Sequence, residues 1–157
     1  MNNDPSTKDL LDHAWRSFAL HAGQRMSLFN FFLILASLTA AGLAACLQRS
    51  GPIQLLGVGV GLLLALVSFT FWKLDQRVSF LLKYAEEAIT QIELSLPIAA
   101  ARLVSNERER TRLAISSGFI VLRTWTYGMA FRCVFALMGV VGIAGAGLCL
   151  ARYSGLL

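Results

Sequence analysis

The sequence predicts an all-α integral membrane protein with three transmembrane helices and a cytoplasmic helical segment between the second and the third. Three observations carry that prediction. Two uncharged apolar runs of twenty residues, 28–47 and 53–72, stand almost back to back, and a third begins near Met129. Hydrophobic residues make up 56% of the 157-residue chain and charged residues only 15%, with a mean hydropathy of +0.62. Soluble domains average roughly 45–50% apolar and about 25% charged. The basic residues, finally, are concentrated between the second and third runs.

The order of elements follows from periodicity and breakers. Residues 1–5 read as a tail. Ser6 suits a helix cap, with Asp9 three positions on as the acid of a capping box. Leu10, Leu11, Ala14, Phe18 and Ala22 recur at three- and four-residue steps, so Thr7 to Gln24 is expected to be an amphipathic helix within a cytoplasmic segment 1–27. Asp12 and Arg16 sit at the i,i+4 spacing of a weak ion pair. The mix of acids and bases in this segment, without a cleavage site after a short apolar core, does not resemble a secretory signal.

The first run, Leu28 to Leu47, contains no charge. At about 1.5 Å per residue twenty residues cover the roughly 30 Å hydrocarbon core. Gln48 to Pro52 is a short polar turn. The second run, Ile53 to Trp72, ends at an interfacial tryptophan, so residues 28–72 form a transmembrane hairpin. Beyond Trp72 no breaker intervenes, and Leu74, Val78, Leu81, Ala85, Ala88 and Ile92 continue at alternating steps of four and three. This heptad-like seam predicts that the helix runs on into the aqueous phase towards Pro97, with Asp75 and Glu93 on its polar faces. Such a seam needs a partner surface, and it is read as an oligomer collar.

Ile98 to Val104 is weakly helical in composition, and Ser105 to Arg112 is expected to be a solvated bend. Leu113 to Leu122 is too short to cross a bilayer. Trp125 and Tyr127 mark an aromatic belt before the third span, placed within 129–152.

Residues 73–128 hold eight basic residues, whereas the 48–52 turn has only Arg49 and the chain after the third span only Arg152. The positive-inside rule then places the N-terminus and residues 73–128 in the cytoplasm, with the turn and the C-terminus outside. The same segment has six acids, a difference of +2. That is too small for a phosphate-tracking surface, so nucleic acid is not an expected partner.

Small residues let apolar helices approach closely. Gly57, Gly61 and Ala65 stand at strict four-residue spacing on the second span, and Gly139, Gly142, Gly145 and Ala146 crowd the third. They pack either the spans of one chain or neighbouring copies, and self-association is the favoured reading. Ionisable groups that would mark a transport path are scarce. Arg132 is expected to snorkel to headgroups. Asn30, Ser37 and Thr39 are candidates for a polar constriction, with a helix–helix hydrogen bond as the alternative for Asn30.

Neither a metal cluster nor a nucleophile motif is present, and no cofactor is expected. Cys46, Cys133 and Cys149 lie in apolar stretches and are read as small hydrophobes. Arg16 and His21 form an R-x4-H pattern like that of HEPN ribonucleases, in which the histidine does acid–base work. Five residues apart on a helix, the two side chains point about 140° away from each other. A packed histidine and an arginine paired to Asp12 is the simpler reading.

The stretch from Trp15 through His21, Gln24, Arg25 and Phe29 to Asn30, together with Lys73-Leu-Asp75-Gln-Arg77, Ala85-Glu86 and Glu93, resembles the bacterial RipA-like family of oligomeric membrane proteins. That family is similar to the accessory membrane protein of type VI-B CRISPR systems. The resemblance covers most of the chain, although the third span matches only in general character. It implies a ring-shaped homo-oligomer, octameric in those relatives, that encloses a membrane pore and acts in phage defence. The expected function is therefore a pore-type effector of the inner membrane that answers a cytoplasmic trigger. The alternatives are a non-conducting scaffold that recruits a cytoplasmic partner and a membrane-tethered ribonuclease.

Overall fold

The computed structural model describes residues 6–95, 104, 106 and 127–156. Expectations for the tail 1–5, for Pro97, for 98–103, for the remainder of the 105–112 bend, for 113–122 and for Trp125 lie outside the described residues. Val104 and Asn106 have helical backbone, and Asn106 falls within the stretch read as a bend.

Three helices make up the described fold: α1 (Thr7–Leu47, 41 residues), α2 (Ile53–Ser95, 43 residues) and α3 (Tyr127–Tyr153, 27 residues). All three are long and apolar enough to cross a membrane. α1 shows no break where its amphipathic first half meets the apolar second half. Arg25-Met-Ser offers neither proline nor glycine, and the i→i−4 ladder continues through it. α2 likewise runs through Trp72 and Lys73 to Ser95 as one helix.

The helix ends are closed by local chemistry. Ser6 Oγ accepts from the Asp9 backbone N–H at 3.2 Å, and Asp9 Oδ2 accepts from Ser6 N–H at 3.2 Å, a reciprocal capping box. Gly51 turns the chain between α1 and α2 with φ +82°, a left-handed conformation that side-chain-bearing residues rarely adopt. At the end of α3 the Leu156 N–H reaches Ala151 O at 3.0 Å and the Gly155 N–H reaches Arg152 O at 3.3 Å, with Gly155 at φ +72°. That is the Schellman arrangement of bonds.

The chain forms two compact units. In the apolar unit, residues 26–76 and 127–157, α3 lies parallel to α1 and antiparallel to α2. Phe32, Ala36, Leu43, Leu64, Phe131, Phe135 and Cys149 form its buried core. Phe29 stacks on Phe131 with centroids 4.0 Å apart, and Phe32 meets Phe135 edge-on at 4.6 Å. Most apolar surface nevertheless faces outward. Only 17%, 22% and 28% of the most apolar windows of α1, α2 and α3 are buried inside the chain. In water such a surface would aggregate; in lipid it is solvated.

In the other unit, residues 1–25 and 77–126, Trp15 stacks on Phe18 at 5.4 Å, while Ala85 and Ile89 are buried. Glu93 is also buried, at 5% exposure, and its Oε1 accepts from the Val104 N–H at 3.1 Å. The heptad pattern put Glu93 on an outer face. A carboxylate that accepts from a backbone amide returns part of its lost hydration, which is how it can be buried. Glu93→Ala is expected to speed hydrogen exchange of the Val104 amide by at least tenfold, read by NMR, because a charge-assisted bond contributes about 1.5–3 kcal/mol.

Candidate functional site

The spans pack through their backbones. A Cβ added to Gly61 would lie 2.6 Å from Gly142 O and 2.8 Å from Ala146 N; one added to Gly142 would lie 2.7 Å from Gly61 O and 2.8 Å from Ala65 N. α2 and α3 therefore meet peptide against peptide along the Gly61–Ala65 and Gly142–Ala146 rows. Such contact is the main source of helix association where lipid tails remove the hydrophobic drive. Gly57 lies further along the seam against Cys149 and Cys46, and Gly139 makes only an ordinary 3.6 Å contact with Ser68 Cβ. Gly145 abuts Leu43 of α1.

A charged pair stands at the opposite end of this bundle from the 48–52 turn. Asp75, on α2 just beyond Trp72, is 3% exposed, and its Oδ2 lies 3.5 Å from Arg132 Nε on α3, whose side chain is 44% exposed. Periodicity alone put Asp75 on a polar face and let Arg132 snorkel. The reason for the difference is that Arg132 supplies the cation that makes burial of the carboxylate tolerable. Trp72, one turn before Asp75, has a buried indole N–H with no hydrogen-bond partner among the described residues, a cost of about 1–3 kcal/mol. Lys73 Nζ sits 5.6 Å from the Phe69 ring centroid.

The remaining sequence-selected residues are placed as follows. Arg16 pairs with Asp12 at 2.7 Å on an exposed surface, and His21 Nδ1 is 3.1 Å from Gln24 Oε1. Neither contact joins Arg16 to His21. Asn30 and Ser37 are exposed and Thr39 is half-buried. The Ser37 hydroxyl donates to Ile34 O at 2.9 Å and that of Thr39 to Leu35 O at 2.7 Å, so both are satisfied within α1. Of the proposed collar, Ala85 is buried, Val78, Leu81 and Ile92 are half-buried, and Leu74 is exposed. Sequence reasoning missed the pairing of Asp75 with Arg132. The available signal was an acid and a base each placed within a turn or so of the polar end of an apolar run.

No family model matches the chain, and no solved structure matches it. A curated relative does: CD-NTase-associated protein 19 of Escherichia coli is 41% identical over 134 residues, covering 84% of this chain and 85% of the relative. An identity of that level across nearly the full length of both chains, rather than over the apolar runs alone, makes this chain a member of the CD-NTase-associated protein 19 family.

Proposed function

We propose that this protein is a membrane-embedded effector of phage defence that works with a CD-NTase, assembling as a homo-oligomeric pore in the bacterial inner membrane. It perturbs that membrane when a cytoplasmic trigger arrives. The observation that carries this reading is the outward-facing apolar surface of three long helices, in a chain whose relative is named for its association with a CD-NTase. Three spans enclose too little volume for a conduit of their own, so conduction requires several copies around an axis. The resemblance to RipA-like ring-forming proteins supports the same assembly. The basic residues of 73–128 favour a cytoplasmic N-terminus and middle segment, with the 48–52 turn and the C-terminus outside.

Within this reading the Asp75–Arg132 pair ties α2 to α3 near the cytoplasmic face, where a trigger would act. Cells that express the protein with its CD-NTase partner are expected to depolarise and admit an impermeant dye after phage infection. Membranes that stay tight under full expression and infection would count against it. The Arg16→Ala/His21→Ala double variant is expected to depolarise like the parent, since the protein acts by a physical rather than a hydrolytic route. Loss of protection together with loss of RNA cleavage would instead establish the ribonuclease.

One observation favours a second reading, a non-conducting scaffold. Phe80 and Tyr84, one helical turn apart on α2 beyond the apolar run, are 69% and 70% exposed. Aromatics so placed suit a protein partner. A scaffold predicts no conductance in liposomes that contain the purified protein, and capture of a soluble partner that depends on Phe80 and Tyr84.

A further inference from the structure

Cys46 lies in the last turn of α1 and Cys149 near the end of α3. Both are free and buried, at 7% and 0% exposure. They meet over Gly57 of α2: a Cβ on that glycine would lie 2.6 Å from Cys149 Sγ, 2.8 Å from Cys46 Cβ and 3.4 Å from Cys149 Cβ. The two cysteine Cβ atoms are therefore no more than 6.2 Å apart, beside the space that glycine leaves open. A protein disulfide requires Cβ atoms about 3.5–4.5 Å apart, a spacing inside that limit. The approach is also held in place, because the Arg152 guanidinium donates to Leu47 O at 2.6 Å, pinning the end of α3 to the end of α1 beside both cysteines. Cys133, by contrast, is exposed and stands near the start of α3.

We propose that Cys46 and Cys149 form a cross-link site, closed by thiol–disulfide exchange, that fastens α1 to α3 over Gly57. The proposal rests on the orientation given above in one respect: with the 48–52 turn outside, the pair lies at the oxidising face of the membrane, where disulfides persist. The oxidant is a disulfide of the surrounding compartment, either the oxidised form of a protein thiol carrier or a small-molecule disulfide. The thiolate of Cys46, the less buried of the two, attacks a sulfur of that disulfide and expels one of its thiols, leaving a mixed disulfide. Cys149, as thiolate, then attacks the Cys46 sulfur from within and expels the other thiol. Two electrons and two protons pass to the oxidant, which leaves as two thiols, and the pair becomes cystine. Once closed, the bond prevents α1 and α3 from parting at the turn end, so rearrangements that separate these helices there require the reduced pair.

The test uses the full chain with Cys133→Ser, purified in detergent micelles, treated with glutathione disulfide, denatured and tagged with a polyethylene-glycol maleimide. The expected result is no tag before reduction and two after, with an intact mass lower by two hydrogens before reduction. The chain without the substitution should lose two of its three tags. Free tagging of both cysteines, or separate glutathione adducts on each, overturns the proposal. A Ser50→Cys reporter probed in intact cells with an impermeant maleimide tests the orientation on its own. Labelling without a cross-link in micelles leaves the orientation standing and ends the proposal. A cross-link without labelling leaves the site standing and overturns the orientation.

Discussion

Gly61→Val and Gly142→Val are expected to unseat α3 from α2, whereas Gly59→Val and Gly147→Val leave the protomer's stability unchanged. The first two add atoms where a Cβ alone would stand 2.6–2.8 Å from peptide atoms of the facing helix. Backbone cannot rotate aside as a long side chain can, so the helices themselves must separate. Overpacking a tight interior costs about 1–3 kcal/mol, and separating two helices also forfeits the dispersion contacts along the rest of the seam. A loss of at least about 3 kcal/mol is the expected outcome, which corresponds to roughly 6–12 °C in Tm for a domain of this size. The other two glycines have nothing within 4 Å and serve as controls for the β-branched substitution itself. Thermal unfolding in detergent, followed through the fluorescence of the chain's three tryptophans, reads all four. Equal melting of Gly61→Val and Gly59→Val would mean that α2 and α3 do not meet along this row.

Removing either member of the Asp75–Arg132 pair should weaken the fold to very different extents. Arg132→Met removes the guanidinium that lies 3.5 Å from the Asp75 carboxylate, which is 3% exposed. Breaking a buried pair in this way costs about 3–5 kcal/mol. Because Arg132 is 44% exposed, water already screens part of the attraction, and about 2–3 kcal/mol is the expected loss. Asp75→Asn should cost less than about 1 kcal/mol, because the freed arginine can turn its guanidinium to headgroups and water. The double variant should recover most of what Arg132→Met loses, since the buried carboxylate charge is then absent. Chemical denaturation of the four proteins in one detergent completes the cycle. An Asp75→Asn loss as large as that of Arg132→Met would overturn the assignment of the cost to the buried carboxylate.

Much of the architecture is legible in the residues because it depends on local properties. An uncharged run of twenty apolar residues is recognisable wherever it folds, and so are the Ser6–Asp9 capping box, the Gly51 turn and the unbroken passage of α2 through Trp72. The continuity of α1 across Arg25 was equally open to reading, since only a breaker would have stopped it. The inward face of the α2 extension was not. Its apolar heptad pointed to Leu74, Val78 and Leu81, yet Asp75, Ser79 and Glu93 are among its buried residues. Polar burial follows from partners rather than from composition, and the partner of Asp75 shows only when the ends of two separate apolar runs are compared.

Length, hydropathy and charge placement along the chain are enough to specify three helices made for lipid, the turn between the first two, and the small-residue rows available for packing. They act through each segment's own exchange with its solvent, which needs no knowledge of neighbours. Which glycines meet peptide backbone, which carboxylate is matched by Arg132, and that Cys46 and Cys149 converge over Gly57 depend on how α1, α2 and α3 come together. Those contacts join residues far apart in the chain, and their energies exist only once the helices stand side by side.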